Sequence, residues 1–413
     1  MTSRQQGRRA VVTGLGVVAP NGVGADAFWK ATRQGVSVLD RISREGCTDI
    51  PLKIAGEVRE FDPQSVIDSR FLVQTDRFTH YAMAAADLAV ADAGFRPDSE
   101  QPFAVGVVTA AGSGGGEFGQ RELQQLWGKG PKFVGPYQSI AWFYAASTGQ
   151  ISIRGGYKGP CAVVASDEAG GLDALAHAAR SIKRGTDTVV VGAAEAPLAP
   201  YSMVCQLGYP ELSLADQPDA AYLPFTAQAC GFAPAEGGAM LLLEDEEAAR
   251  RRGANVRAHL AGHGATFTGA SRWEESREGL AAAIRIALDE ARTAPEEIDV
   301  VFADALGVPT ADRAEALALA DALGSAVESV PVTAPKSGTG RAYCGAPMLD
   351  VAAAVLAMED GVLPPTPNVT KVCHDLALVT DHARPAELRT ALVLSRGLMG
   401  SNSALVLRRG DQP

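Results

Sequence analysis

The chain has 413 residues, of which 46% are hydrophobic and 21% charged, with 37 Lys and Arg against 48 Asp and Glu, a formal net charge of −11. That acidic balance argues against nucleic acid and against an anionic membrane surface, because Lys and Arg hold both. No run of about 18 apolar residues occurs, and no charged start is followed by an apolar stretch, so neither a membrane span nor a secretory leader is expected and the cytoplasm is the expected compartment.

In chain order, the polar start at 1–7 is expected to be unstructured. The first strand is expected at 10–13. It runs into Thr13-Gly14-Leu15-Gly16-Val17-Val18-Ala19, which fits the G-x-G-x-x-A pattern of a dinucleotide site. Pro20-Asn21-Gly22 then signals a turn and delays the helix past the glycines. An anion site needs the helix to begin at them, so a nicotinamide oxidoreductase stays a distant alternative.

A helix is expected over 77–93 and a strand over 105–109. The glycines of 112–119 lack a following Gly-Lys-Ser/Thr, so they read as a flexible or closely packed loop and not a phosphate cradle. A buried strand at 162–165 enters a sharp turn, Val163-Val164-Ala165-Ser166-Asp167-Glu168-Ala169-Gly170-Gly171-Leu172-Asp173. The turn presents Glu168 at a helix N-terminus, where acyl-transfer enzymes place a nucleophile. From this segment alone Glu168 reads as a surface acid. The Ala-rich helix that follows, 170–184, suits a buried central helix.

Strands are expected at 188–191 and 239–243. A charged helical end (244–252) then meets the turn signal Gly253-Ala254-Asn255, which divides the chain into halves at 1–252 and 253–413 without a linker between them. Helices at 276–291, 311–323 and 346–359 alternate with strands at 300–303, 331–334, 391–394 and 404–407. Pro335-Lys336-Ser337 lacks the upstream glycine of a nucleotide loop. The last residues, 408–413, are expected to fray. Strands alternating with helices make the class α/β.

Six cysteines (47, 161, 205, 230, 344 and 373) are scattered with no C-x-x-C pair. Free thiols are expected. Cys373-His374 is the one adjacent Cys/His pair, and it has no further ligands for zinc. No metal and no cofactor are expected.

Taken together, these segments resemble the β-ketoacyl-carrier-protein synthase family over nearly the whole chain. The blocks are Arg8 to Val18, Asp76-Arg77-Phe78, Phe232 through Pro234-Ala235-Glu236-Gly237-Gly238, Pro335-Lys336-Ser337 and Asn402-Ser403-Ala404. Within the family the chain is most similar to the chain-length factors of type II polyketide synthases. Glu117-Phe118-Gly119-Gln120-Arg121-Glu122-Leu123-Gln124, Ala141-Trp142-Phe143-Tyr144, Thr148-Gly149-Gln150-Ile151 and Ala169 to Leu175 carry that likeness. The resemblance implies a thiolase-like fold of two similar halves in a five-layered αβαβα arrangement.

Carried over position by position, the family's nucleophilic Cys falls on Glu168. Its first catalytic His falls on Asp304, anchored by Asp312-Arg313-Ala314-Glu315. Its second His falls on Arg341, five residues after Lys336 at the family's lysine position. No catalytic residue is therefore expected; Lys336 and Glu315 are retained as structural residues. Chain-length factors usually carry Gln at the first position, and Glu168 departs from that. A condensing site needs a thiolate to hold the acyl chain and imidazole donors to stabilise developing charge. A carboxylate and a guanidinium supply neither. Because the three positions converge in the family, Arg341 is expected to bridge Glu168 and Asp304 in a buried ion cluster, with Gly340 and Gly400 permitting close backbone approach. The alternative, an active synthase with a relocated nucleophile, would use Cys161, which otherwise reads as a buried packing residue.

The resemblance further implies a chain-length gate at Gly116, Gly119, Leu123 and Ile140, in an interface region of about 110–150. Relatives often carry Phe at the first and last of these. A wider tunnel and a longer product follow, unless Phe118, Trp142 or Phe143 refills the space. Leu398, in Gly397-Leu398-Met399-Gly400, holds the position of a gatekeeper Phe. The implied partner is an active ketosynthase subunit in a heterodimer, alone or paired into a dimer of heterodimers. Acyl carrier protein is expected to dock mainly on that partner.

Overall fold

The computed structural model describes residues 7–98, 101–269 and 272–410. The expected loose ends at 1–6 and 411–413 lie outside the described residues, whereas Arg408 and Arg409 are strand and not a frayed tail. Ten strands carry the sheet: β1 (Ala10–Ala19), β2 (Val105–Ala110), β3 (Cys161–Val164), β4 (Thr188–Glu195), β5 (Gly237–Asp245), β6 (Ala258–Phe267), β7 (Val300–Phe302), β8 (Pro331–Thr333), β9 (Thr390–Arg396) and β10 (Ser401–Arg409). The longer helices are α1 (Ala25–Arg33), α2 (Arg77–Asp92), α3 (Gly116–Lys129), α4 (Ala146–Gly155), α5 (Gly170–Lys183), α6 (Pro200–Gln206), α7 (Ser276–Ala291), α8 (Pro309–Leu323) and α9 (Gly345–Asp360).

The strand order is β8-β7-β9-β10-β6-β1-β5-β4-β2-β3, extended by two-residue strands. From β1 outward the pairings are antiparallel to β5, antiparallel to β4, then parallel to β2 and β3. From β6 outward the same sequence recurs through β10, β9, β7 and β8. The two halves thus share one topology, which no repeat in the residues betrays. They join where Val11 and Val12 pair with His259 and Ala258. Parallel neighbours require crossover connections: α3 and α4 link β2 to β3, and α8 links β7 to β8.

Helices α2 and α7 cover the outer faces, and α5 and α9 lie between the two half-sheets. The helix closed in on every side is α9, whose residues from Gly345 to Met358 are all buried. The expectation had given that place to α5. Its Ala-rich face is buried, but Arg180 and Lys183 reach solvent. The two helices meet at Gly171, where a Cβ would stand 2.6 Å from the Cys344 carbonyl oxygen.

Three further expectations are corrected. First, β1 runs unbroken through Gly14 and Gly16. A Cβ at these positions would lie 2.1 Å from the Ala89 oxygen and 1.9 Å from the Ala85 oxygen of α2. The glycines let a helix lie flat on the strand and cradle no phosphate, which removes the dinucleotide alternative. Second, β3 is the edge of the sheet and only half-buried, with Cys161 exposed. The expected buried cysteine belongs to a strand with neighbours on both sides; β3 has one. Third, β6 and the helices α3, α4 and α6 were not anticipated, whereas α1 is the helix expected past the Pro20-Asn21-Gly22 turn. In β6, Ala-His-Leu-Ala-Gly-His-Gly-Ala-Thr-Phe, small and polar residues take the place of β-branched ones because α7 packs on Gly262 and Gly264.

Gly16→Ala is expected to cost about 1–3 kcal/mol or more through overpacking against α2. Gly128→Ala, in α3 with nothing within 4 Å of the new methyl, is expected to gain up to ~1 kcal/mol. Urea unfolding of both variants checks the pair.

Candidate functional site

Beyond β3 the chain makes one 3₁₀ turn, Asp167–Ala169, before α5 begins. Asp167 adopts φ +58°, a left-handed conformation rare outside glycine. Its carboxylate lies where a Cβ on Gly397 would stand, 2.1 Å away, so residue 397 must lack a side chain. Glu168 is 5% exposed and turns inward; it is no surface acid. Its Oε2 accepts the Leu398 N–H at 2.8 Å, and Asp167 Oδ2 accepts the Met399 N–H at 2.5 Å. Burial raises the Glu168 pKa first, and the hydrogen-bonded Asp167 carboxyl and its charge raise it further. Arg341 and the Leu398 amide oppose this without prevailing. Glu168 is thereby held towards its neutral form.

Asp304 follows β7 and is wholly buried. Its Oδ1 accepts from Arg341 Nη2 at 2.8 Å and from the Arg396 N–H at 2.9 Å; its Oδ2 accepts from Arg396 Nε at 3.1 Å. Arg396 Nη2 donates to Glu315 at 2.9 Å and its Nη1 to the Ala311 carbonyl at 2.9 Å. Glu315 also accepts the amides of Asp304 and Ala305. Lys336 pairs with Asp350 at 2.5 Å and donates to the carbonyl oxygens of Ala303 and Asp304. Burial would raise Asp304, but Arg341, Arg396 and Lys336 outweigh it and hold it at about 2. Burial works against the charge on Arg341, but the charge interactions with Asp304, Tyr222 and Glu168 and the hydrogen bond to Asp304 together outweigh it, and Arg341 stays charged.

The structure therefore brings Arg341 and Asp304 together but leaves Glu168 out of that pair. No hydrogen bond joins Arg341 to Glu168 among the described residues; the two meet only through longer-range charge. The expected bridge is made by Arg396, between Asp304 and Glu315. Sequence reasoning missed Arg396. The available signal was a lone cation ending an otherwise apolar strand, Thr-Ala-Leu-Val-Leu-Ser-Arg. Of the two glycines expected to ease close approach, Gly340 has φ +88° and would press a Cβ to 2.9 Å of Ala235 Cβ, and Gly400 has φ +104°.

Asp167, Glu168, Glu195, Tyr209, Cys344 and Gly116 are among the residues lining a cavity of about 470 Å³. Glu195 accepts the Gly112 N–H at 2.6 Å and the Ser113 hydroxyl at 2.9 Å; burial lifts it to about 7 against those bonds. Cys205 and Cys344, not Cys161, are the thiols lining this cavity, and Cys344 is the buried one. Burial, then Glu195 and Glu168, push it well above the ordinary thiol range, so it is protonated and a poor nucleophile. No histidine lines the cavity.

Gly116, Gly119 and Leu123 share one face of α3 at i, i+3 and i+7. They do not converge on one space. Gly116 lines the cavity, and a Cβ there would meet Ser202 Oγ at 2.1 Å. At Gly119 a Cβ would meet the Trp142 ring at 2.8 Å. Leu123 is 40% exposed, and Ile140 is half-buried on the short helix Gln138–Ala141. Asp76, also missed, accepts the N–H groups of Phe78 and Phe118 and so ties the starts of α2 and α3 together. Leu398 is half-buried beside Glu168. No group of metal ligands and no helix long and apolar enough to cross a membrane is found among the described residues.

The sequence profile of the β-ketoacyl synthase N-terminal domain matches residues 7–249, and that of the C-terminal domain matches 257–370. The chain belongs to the β-ketoacyl synthase family. It is 72% identical to a Streptomyces coelicolor protein provisionally named polyketide beta-ketoacyl synthase 2, over 98% of this chain and 96% of that one. It is 51% identical to the tetracenomycin polyketide synthase ketoacyl synthase beta subunit of Streptomyces glaucescens, over 97% of this chain and 98% of that one. Among solved structures, the ishigamide ketosynthase/chain length factor superposes with a TM-score of 0.88 at 28% identity, covering 97% and 99% of the two chains. The AntDE:AntF complex, a type II acyl carrier protein with its ketosynthase bound to the hexaketide, superposes at 0.86 and 28% identity, with the same coverage.

Asp304→Asn strands two buried guanidinium groups on one anion fewer, and is expected to cost about 3–5 kcal/mol, read by urea unfolding. The pH profile has a definite sign. Glu195 and Asp312 are raised by burial to about 7, and Asp350 to about 6. A raised folded-state pKa favours folding below the unfolded value and loses that advantage as pH rises through the folded one. Thermal stability is expected to fall between pH 5 and 8, and Glu195→Gln to flatten the fall.

Proposed function

We propose that this chain is the non-catalytic chain-length-factor subunit of a type II polyketide ketosynthase. It pairs with an active ketosynthase and bounds the space for the polyketide or polyene chain growing on acyl carrier protein. The observation that carries this reading is Glu168: a buried carboxyl, bonded to the Leu398 amide, at the turn where the family keeps its cysteine. An acylated carboxyl is an anhydride and not a thioester store. Asp304, ionised and gripped by two guanidiniums, has no proton to donate. The names of the similar beta subunits and of the ketosynthase/chain length factor support the same assignment.

The partner surface follows from exposure. Trp142, Phe143, Tyr144, Tyr201 and Val204 are large apolar side chains open to solvent, and the unpaired edge of β3 lies in the same half. An apolar surface of this kind suits an obligate interface. The net charge of −11 favours docking of an acidic carrier protein on the partner subunit. The reading places the complex in the cytoplasm and treats 1–252 and 253–413 as its two structural halves, with 110–150 as the interface region. The alternative of a relocated nucleophile is disfavoured for its candidate: Cys161 sits on the sheet edge and does not line the cavity, and of the two thiols that do, Cys205 and Cys344, the buried Cys344 is held protonated.

Chain length is assigned to Gly116, Gly119 and Leu123 on α3, to Ile140 on the short helix Gln138–Ala141, and to Trp142, whose ring occupies the space over Gly119.

Incubated with an acyl donor, the purified chain is expected to take up no thioester-bound acyl group; a covalent adduct detected by intact mass would overturn the assignment. In the complex with its ketosynthase, Trp142→Ala is expected to lengthen the product. Gly116→Phe, combined with Ser202→Ala to make room, is expected to shorten it. Product masses that do not move in either variant remove the gate.

A further inference from the structure

The segment 396–400 is a largely buried turn, open to solvent at Met399, in which every backbone N–H has an acceptor. The Arg396 N–H donates to Asp304 Oδ1 at 2.9 Å and the Gly397 N–H to the Ser401 oxygen at 2.8 Å. The Leu398 N–H donates to Glu168 at 2.8 Å and the Met399 N–H to Asp167 at 2.5 Å. The Gly400 N–H donates to the Gly397 oxygen at 3.1 Å. Three of the five carbonyls are held as well, that of Gly397 by the Gly400 N–H. Arg341 Nη2 donates to the Arg396 oxygen at 2.6 Å, and the N–H and hydroxyl of Thr268 both donate to the Gly400 oxygen. Met399 is nonetheless 65% exposed and lines the mouth of the Glu168 cavity. Although the chain reaches solvent at Met399, the turn leaves no amide to water.

We infer that Arg396 is a positioning residue that locks the 397–400 turn shut over the Glu168 cavity, so that acyl groups are kept out of this subunit's own pocket. The geometry gives the mechanism. The Arg396 side chain is wholly buried and forked between Asp304, Glu315 and the Ala311 carbonyl, with the Trp273 ring 5.3 Å from its guanidinium carbon. A planar fork fixed on that many partners has no alternative rotamer that keeps them. Its backbone N–H and carbonyl are bonded to the same network, so the first residue of the turn cannot move without breaking buried ion pairs. The next two amides are then delivered to Glu168 and Asp167. Gly397 and Gly400 are the points at which such a turn could otherwise bend. The consequence for acyl groups rests on the non-catalytic reading above, whereas the immobility of the turn does not.

Amide hydrogen exchange on the assembled heterodimer tests this. The peptide covering 396–403 is expected to exchange slowly in the unmodified chain, with β4 (Thr188–Glu195) as internal reference. The charge-matched double variant Arg396→Met/Glu315→Gln removes one buried cation and one buried anion together, keeps an amide oxygen to accept from the Asp304 and Ala305 N–H groups, and leaves both members of the Arg341–Asp304 pair in place. It is expected to raise exchange at Leu398 and Met399 by about ten-fold or more while β4 is unchanged. Arg396→Lys, which keeps the charge and loses the fork, is expected to behave like the double variant. In a second readout, a Glu168→Cys variant is expected to be alkylated by iodoacetamide at that position about ten-fold more slowly with Arg396 than with the double substitution. Exchange at 396–403 that is already fast in the unmodified chain, or unchanged in the double variant, overturns the lock. A rise shared equally by β4 assigns Arg396 to global stability and overturns it too. Acyl labelling of the unmodified chain would instead refute the non-catalytic reading and leave the exchange result standing.

Discussion

One buried carboxylate organises the centre of this protein. Asp304 is out of contact with water, and an isolated ionised group there would be costly. It is tolerated because two guanidinium groups donate to it from different parts of the chain, Arg341 at the end of the 335–341 segment and Arg396 at the end of β9. Each arginine has a second duty. Arg341 holds the carbonyl of residue 396, and Arg396 reaches on to Glu315. With Lys336 and Asp350 close by, three cations face three anions in a dry interior. Such a network is worth little as net stability against an apolar core, yet removing one member strands its partners. That asymmetry makes it a positioning device.

The fold places this network where it can act. Both half-sheets run antiparallel, antiparallel, parallel, parallel from the middle outward, and the ends of β3, β7 and β9 deliver Glu168, Asp304 and Arg396 to one region. The helices α5 and α9 between the layers touch at Gly171, which leaves no room for the chain to relax around the ions. Condensing chemistry needs a thiolate and proton donors, and the resemblance implies these positions for them. The side chains found here are a carboxyl held towards neutrality, an anion saturated with donors, and a guanidinium already engaged. Of the two thiols lining the cavity beside them, Cys205 and Cys344, the buried Cys344 is kept protonated by burial and by two acids.

Much of this was legible in the residues. The helix at 276–291 was expected to its boundaries and is found there. The strands at 105–109, 188–191 and 239–243 were expected within a few residues. Periodicity and β-branched content speak plainly in those segments. It failed for β6, whose alternating small residues answer to a helix packed across them, and for Gly14 and Gly16, where a turn motif proved to be strand. A glycine that relieves a close helix contact and a glycine that makes a turn look identical in one dimension. β3 was misjudged as buried for a related reason: an apolar strand does not announce whether it has one neighbour or two.

What the residues settled alone is the identity of the parts: an α/β chain of acidic balance and family blocks in order, with Glu168, Asp304 and Arg341 at the positions where the resemblance implies a Cys and two His. Local sequence suffices for that because flanking motifs index each position. Which side chains touch was decided only by the tertiary structure. It gave the bridge between two acids to Arg396 and not to Arg341, placed Cys344 and not Cys161 in the cavity, and filled the space over Gly119 with Trp142. Each of these depends on contacts between segments far apart in the chain. Their distances follow from how the two half-sheets and the helices between them pack, and no spacing along the sequence encodes that.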